Sequence, residues 1–198
     1  MLLGYKRSIG GSDAYHYGKA NGIDRKFICV VCGAALPILD RVAGAVVVLG
    51  EIYHPSKPPS FVGLAAYTGA WPLVENALTQ YRQDLKFTHV IVDREEAREV
   101  LWRMRGLNYA INDIPLVTYT APSYASSEIG RAYTDELIRE GRLLLDEIKT
   151  DLDEEDEMGA LALKCAVAWL KDNPSYYAPL RKLGRREPGR ILGMEGLE

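Results

Sequence analysis

Apolar and polar positions along the chain follow two periods, and the change from one to the other divides it. Residues 26–35 (Lys-Phe-Ile-Cys-Val-Val-Cys-Gly-Ala-Ala) and 42–53 are near-continuous apolar runs rich in β-branched side chains, as expected of strands. Pro55, Pro58 and Pro59 stop the second run. Upstream, residues 5–14 read as a short strand whose glycines let the backbone pass close to something, with Asp13 at its end and a polar loop to Asp24 after it. Three successive strands without a helix between them predict an antiparallel opening to the sheet.

From residue 71 the period lengthens. Residues 71–85 have helical spacing and lead into a strand, Phe-Thr-His-Val-Ile-Val, that ends at Asp93. In the next helix Ala97, Val100, Leu101 and Met104 fall at i, i+3, i+4 and i+7 and face the sheet, Arg94, Arg98 and Arg105 share another face, and Gly106 closes it. Residues 114–119 predict a further strand, 128–140 a helix ended by Gly141, and 142–145 a brief edge strand. An acidic run, 151–157, precedes a helix over 158–171, where its charge complements the helix dipole. Gly159, Ala160, Ala162 and Ala166 make that helix slender enough to lie close to a sheet. Strand and helix alternate here as βαβ units do, so the expected class is α/β with a mixed sheet.

Composition adds bounds. With 198 residues, 47% of them hydrophobic, the chain has the size of one domain, expected over 1–180, followed by a flexible charged tail over 181–198. A net charge of −3 means that any nucleic-acid binding must rest on local basic patches. No apolar run reaches about 18 residues and the N-terminus has no signal-peptide pattern, which predicts a cytoplasmic protein without a membrane span. Cys29 and Cys32, at i and i+3 in an extended run, point to opposite faces and read as core rather than as a metal or redox pair. Trp102 and Trp169 also read as core. Asp93 has two readings, a cap for the helix that follows it or an acid delivered to the working edge of the sheet. Other converging acids would decide for the second.

The acids and their flanking residues are similar to the ribonuclease-H-like superfamily, and within it to the nuclease domain of the large terminase subunit of tailed bacteriophages. Ile9-Gly-Gly-Ser-Asp13-Ala14, a glycine-containing loop, and Asp24-Arg25 before Phe27-Ile-Cys-Val-Val resemble that family's opening. Val90-Ile-Val-Asp93, a helix and Gly106-Leu-Asn resemble its second acidic strand. Glu155-Asp156-Glu157-Met158-Gly159-Ala160-Leu161-Ala162-Leu163 resembles its closing motif, although Gly159 stands where many members carry an aspartate and Glu155 replaces the first acid of the pair. The resemblance spans residues 5 to about 170. No Gly-x-x-x-x-Gly-Lys-[Ser/Thr] loop is present, so the packaging ATPase is not in this chain and it reads as a nuclease domain alone.

The resemblance implies a ribonuclease-H-like mixed sheet, an antiparallel three-strand opening followed by parallel βαβ strands, flanked by helices. It implies endonucleolytic cleavage of double-stranded DNA with little sequence specificity, cutting concatemeric viral DNA during packaging with a packaging ATPase and a portal as partners. Other members of the superfamily, such as Holliday-junction resolvases, and a non-catalytic DNA-binding or assembly module on the same scaffold are the alternatives. Two Mg²⁺ or Mn²⁺ ions are implied as cofactors, since hard cations held by carboxylates both activate a water and neutralise the leaving oxygen. Asp13, Asp93 and Asp156 are the implied catalytic acids and metal ligands, with Glu155 a further ligand and Glu155 or Asp153 substitutes for Asp156. Asp24 and His16 are supporting candidates. Lys19, Arg25, Arg94 and Arg98 are the candidate DNA contacts, and Lys57 and Arg131 extend that track. Ordinary solvated charge, with Glu95–Arg98 as a helix pair, is the plainer reading of each. His89, inside a strand, reads as structural, and the isolated domain is expected to be a monomer.

Overall fold

A computed structural model of the chain describes residues 27–37, 43–52, 57–87, 89–104, 106–107, 116–145, 148 and 157–173. The apolar runs form the middle of a six-stranded sheet. β1 (Phe27–Ala35) pairs antiparallel with β2 (Ala43–Ile52), which pairs antiparallel with β3 (Ser60–Ala70). After helix α1 (Leu73–Leu85) the chain returns as β4 (His89–Val92), parallel to β1 on the edge that β2 leaves open. Helix α2 (Glu95–Arg103) leads to β5 (Val117–Thr120), parallel to β4. A 3-10 turn, Ser123–Ser126, and helix α3 (Glu128–Arg139) follow, then the two-residue β6 (Leu143–Leu144) beside β3, and finally helix α4 (Glu157–Asp172).

The resulting order, β5-β4-β1-β2-β3-β6, has an antiparallel three-strand opening and parallel βαβ strands added on its other side. This is a mixed sheet with an antiparallel opening and parallel βαβ strands, the class the sequence pattern leads one to expect. No helix among the described residues is long and apolar enough to cross a membrane.

The opening is built differently from the sequence expectation. Its third strand is β3, drawn from residues the pattern left unassigned, because Gly63, Ala65, Ala66 and Gly69 have low intrinsic strand preference. Pairing with β2 along its whole length makes this segment a strand. β1 stands between β2 and β4, and both of its edges are occupied over Val31–Ala34. Residues 5–14 lie outside the described residues, as does the tail 181–198.

α2 packs on β4 and β5, and α4 packs chiefly on β1 and β2 and reaches β4. α2 contributes buried Ala97 and Leu101, with Met104 just beyond it, as the i, i+3, i+4, i+7 stripe predicts. It ends at Arg103, before Gly106. α4 is the slender helix its composition predicts. A Cβ on Gly33 would fall 1.9 Å from the Ala162 carbonyl oxygen, so the helix backbone rests directly on β1. Two turns on, Trp169 packs against His89 of β4 and Tyr119 of β5, with ring centroids 5.3 and 5.2 Å away. α4 therefore crosses the sheet obliquely. α3 is capped by Ser127, whose Oγ accepts from the Ile129 amide, and Gly141 at φ +65° turns the chain out of it.

Candidate active edge around Asp93

β4 delivers Asp93 to the C-terminal edge of the parallel strands, where helix N-termini and strand ends leave polar groups to work with. The Asp93 side chain is only 6% exposed, and its Oδ2 accepts a hydrogen bond from Arg94 Nε at 3.0 Å. It is not the helix cap. Arg94 occupies that position, with extended backbone and no side-chain capping bond. The cap reading of Asp93 is thus set aside by the geometry, and its carboxylate is held at the sheet edge instead.

Around it the end of β5 is tied to α2. The Ala121 amide donates to the Val92 carbonyl at 2.7 Å, and Thr120 Oγ1 donates to Glu95 Oε2 at 2.7 Å. Arg98 Nη1 donates to both Glu95 oxygens at 2.8 and 3.0 Å. The Thr120 hydroxyl first, and then Arg98, hold the Glu95 carboxyl below its usual range. Sequence spacing gives the Glu95–Arg98 pair, but Thr120 is 25 residues from Glu95 and enters only through the strand register.

β1 is the nearest neighbour of this edge. Ala34 pairs with Val92, so Ala35 stands beside Asp93, and no acid occupies that end of β1. On α4, Glu157 is exposed in the first turn and Gly159 is buried. Asp13, His16, Lys19, Asp24, Arg25, Glu155 and Asp156 all lie outside the described residues. Among the described residues no three His, Cys, Asp or Glu side chains stand close enough to share a metal ion. The donor chemistry at Asp93 suits a hard cation in kind, since it is a sheltered carboxylate. The number of donors does not reach what a pair of ions needs without the acids outside the described set.

The other sequence candidates separate cleanly. Arg94 and Arg98 are at this edge, engaged with Asp93 and Glu95. Arg131 lies in the first turn of α3, downstream of β5, and pairs with Asp135 at 3.8 Å. Lys57 does not extend that track. It precedes Ser60, which pairs with Ile52, itself paired with Phe27, so it belongs to the opposite end of the sheet.

His89 is structural, as expected. It is 5% exposed and stacked on Tyr119, and burial first, then the Arg82 charge, push its pKa down to about 4. Cys29, Cys32 and Cys165 are buried free thiols, with burial raising the Cys32 pKa. Trp169 is core at 3% exposure, but Trp102 is 69% exposed, which corrects its reading as core. It is one position past Leu101 on α2 and so falls off the stripe that faces the sheet.

No family model matches the sequence, and no curated protein matches it. Among solved structures, the fowlpox virus Holliday junction resolvase is similar with a TM-score of 0.46 and 13% sequence identity, covering 72% of this chain and 98% of that one.

Proposed function

We propose that the chain is a divalent-metal-dependent nuclease acting on DNA, with the sheltered carboxylate of Asp93 as its anchor at the C-terminal edge of β4. The observation that carries this reading is the placement of Asp93, a buried acid released from capping duty at the edge where a ribonuclease-H-like sheet works. Asp93 with Asp13 and Asp156, and Glu155 beside them, would hold Mg²⁺ or Mn²⁺. The bound ions would supply an activated water and charge neutralisation at the leaving oxygen. Arg94, which donates to Asp93, would also meet a phosphate, and Arg98 with Lys19 and Arg25 would steady the DNA backbone. The finer role, cutting concatemeric viral DNA beside a packaging ATPase and portal, rests on the sequence motifs.

The test is nicking of supercoiled plasmid by the full chain in Mg²⁺, Mn²⁺ or EDTA. Metal-dependent nicking that Asp93→Asn abolishes, with circular dichroism unchanged, supports the reading. Preference for a four-way junction over linear duplex would direct it to a resolvase, and indifference to branching to packaging.

Ala35 beside Asp93 favours a second reading, a non-catalytic DNA-binding or assembly module on this scaffold. Salt-dependent DNA binding with no cleavage in Mn²⁺ would select it.

A further inference from the structure

We infer that Thr120 is a positioning residue for Asp93: its hydroxyl, acting through Glu95, fixes the turn that presents the Asp93 carboxylate and Arg94. The inference deepens the nuclease reading, and rests on it for the metal ion that this turn would serve.

Asp93 and Arg94 form a bend between the end of β4 and the first residue of α2. A helix start is ordinarily fixed by a side-chain cap, which satisfies an amide of the first turn. α2 has no such cap, because Arg94 stands at that position and makes no capping bond. The end of β5 supplies the restraint instead. On one side of the bend the Ala121 amide donates to the Val92 carbonyl at 2.7 Å. On the other side Thr120 Oγ1 donates to Glu95 Oε2 at 2.7 Å. Two consecutive residues thus hold the residue before Asp93 and the residue after Arg94, and the bend is splinted at both ends.

The two bonds differ in kind. The backbone bond continues the register that sets Val92 beside Thr120, and any residue but proline in place of Ala121 would make it. The side-chain bond needs a hydroxyl at Thr120. Arg98 also donates to Glu95, but it is on α2 itself, so it braces the carboxylate without attaching the helix to the sheet. Glu95 is held ionised, by the Thr120 hydroxyl first, and a carboxylate is the stronger kind of acceptor. α2 is tied to β5 a second time where Trp102 Nε1 donates to Thr118 Oγ1 at 3.2 Å. That tie is about 10 Å further along the helix, away from the bend. Losing a group that orients a metal ligand typically costs roughly ten- to a hundredfold in metal affinity.

The experiment measures Mn²⁺ binding to the full chain by isothermal titration calorimetry, with no DNA present. Thr120→Val keeps the shape and strand preference but removes the donor, and should weaken binding about tenfold. Thr120→Ser, which keeps the hydroxyl, should stay within about twofold of wild type, as should Thr118→Val, which removes only the far tie. Equal affinities for wild type and Thr120→Val would overturn the inference. So would the same loss in Thr120→Ser or Thr118→Val, since side-chain bulk or general loosening of α2 would then be the cause. Hydrogen exchange at the Glu99 amide, which in an α-helix donates to the Glu95 carbonyl, reads the splint without a metal. It should quicken roughly tenfold in Thr120→Val and not in Thr120→Ser, and unchanged exchange overturns the inference. Wild-type protein that binds no Mn²⁺ removes the metal reading alone, and the exchange then decides for or against the splint, so the two failures are scored separately.

Discussion

Replacing Gly33 by alanine should unseat α4 from the sheet. The added Cβ would lie 1.9 Å from the Ala162 carbonyl oxygen, 2.9 Å from its carbon and 3.1 Å from Ala166 Cβ, where ordinary contact begins at 3.4 Å. Relief requires the helix backbone to retreat by about 1.5 Å, because no rotamer of a flexible side chain can absorb the clash. Overpacking of this kind costs about 1–3 kcal/mol, and contact with backbone places Gly33→Ala at the upper end. Loss of glycine's freedom in the unfolded chain returns about 0.4–1 kcal/mol, leaving a net destabilisation of about 2 kcal/mol. For a chain of this size that lowers the melting temperature by about 4–8 °C.

Thermal unfolding followed by circular dichroism at 222 nm gives the comparison. Ala166→Gly placed on top of Gly33→Ala should recover little, because the dominant clash is with the Ala162 backbone. A melting temperature within about one degree of wild type, or full rescue by Ala166→Gly, would refute the argument that α4 is seated by backbone contact at Gly33.

His89 supplies a pH prediction. Its folded pKa, about 4, is below the unfolded 6.5, so below pH 6.5 the unfolded chain takes up a proton that the folded one refuses. Its contribution is full above pH 6.5 and falls as pH drops toward 4, by about 3 kcal/mol in total; His89→Phe should flatten that part of the stability curve, and an equal loss of unfolding free energy between pH 7 and 4.5 in wild type and His89→Phe, measured by urea titration, would refute it. The three buried cysteines should resist an aromatic disulfide reagent in the folded protein and react fully in guanidinium, and one full equivalent labelled within seconds before denaturation would contradict the packing. Tyr124→Phe removes hydroxyl bonds to Asp172 at 2.7 Å and to the Ala168 carbonyl at 3.3 Å, and should cost about 1 kcal/mol in chemical denaturation; no change in midpoint would show that the 3-10 turn does not brace α4.

The chain's own pattern determined the elements with a strong period: the apolar runs that become β1 and β2, the stripe of α2, the Gly141 stop after α3 and the slenderness of α4. Each depends on neighbours within a few residues, and local spacing records those. The pattern also singled out Asp93 at the end of its strand. Tertiary structure alone decided which strands lie beside it. β3 is a strand because β2 pairs with it, although its glycines and alanines carry little preference of their own. Ala35 beside Asp93, Lys57 at the far end of the sheet and Thr120 on Glu95 all follow from register between segments distant in sequence. Trp102 shows the same division: its hydrophobicity argues for the core, yet a one-residue offset from the buried stripe, about 100° around the helix, turns it to solvent. Spacing along a chain fixes which way a side chain points on its own element, whereas what it meets there depends on pairings that no local window contains.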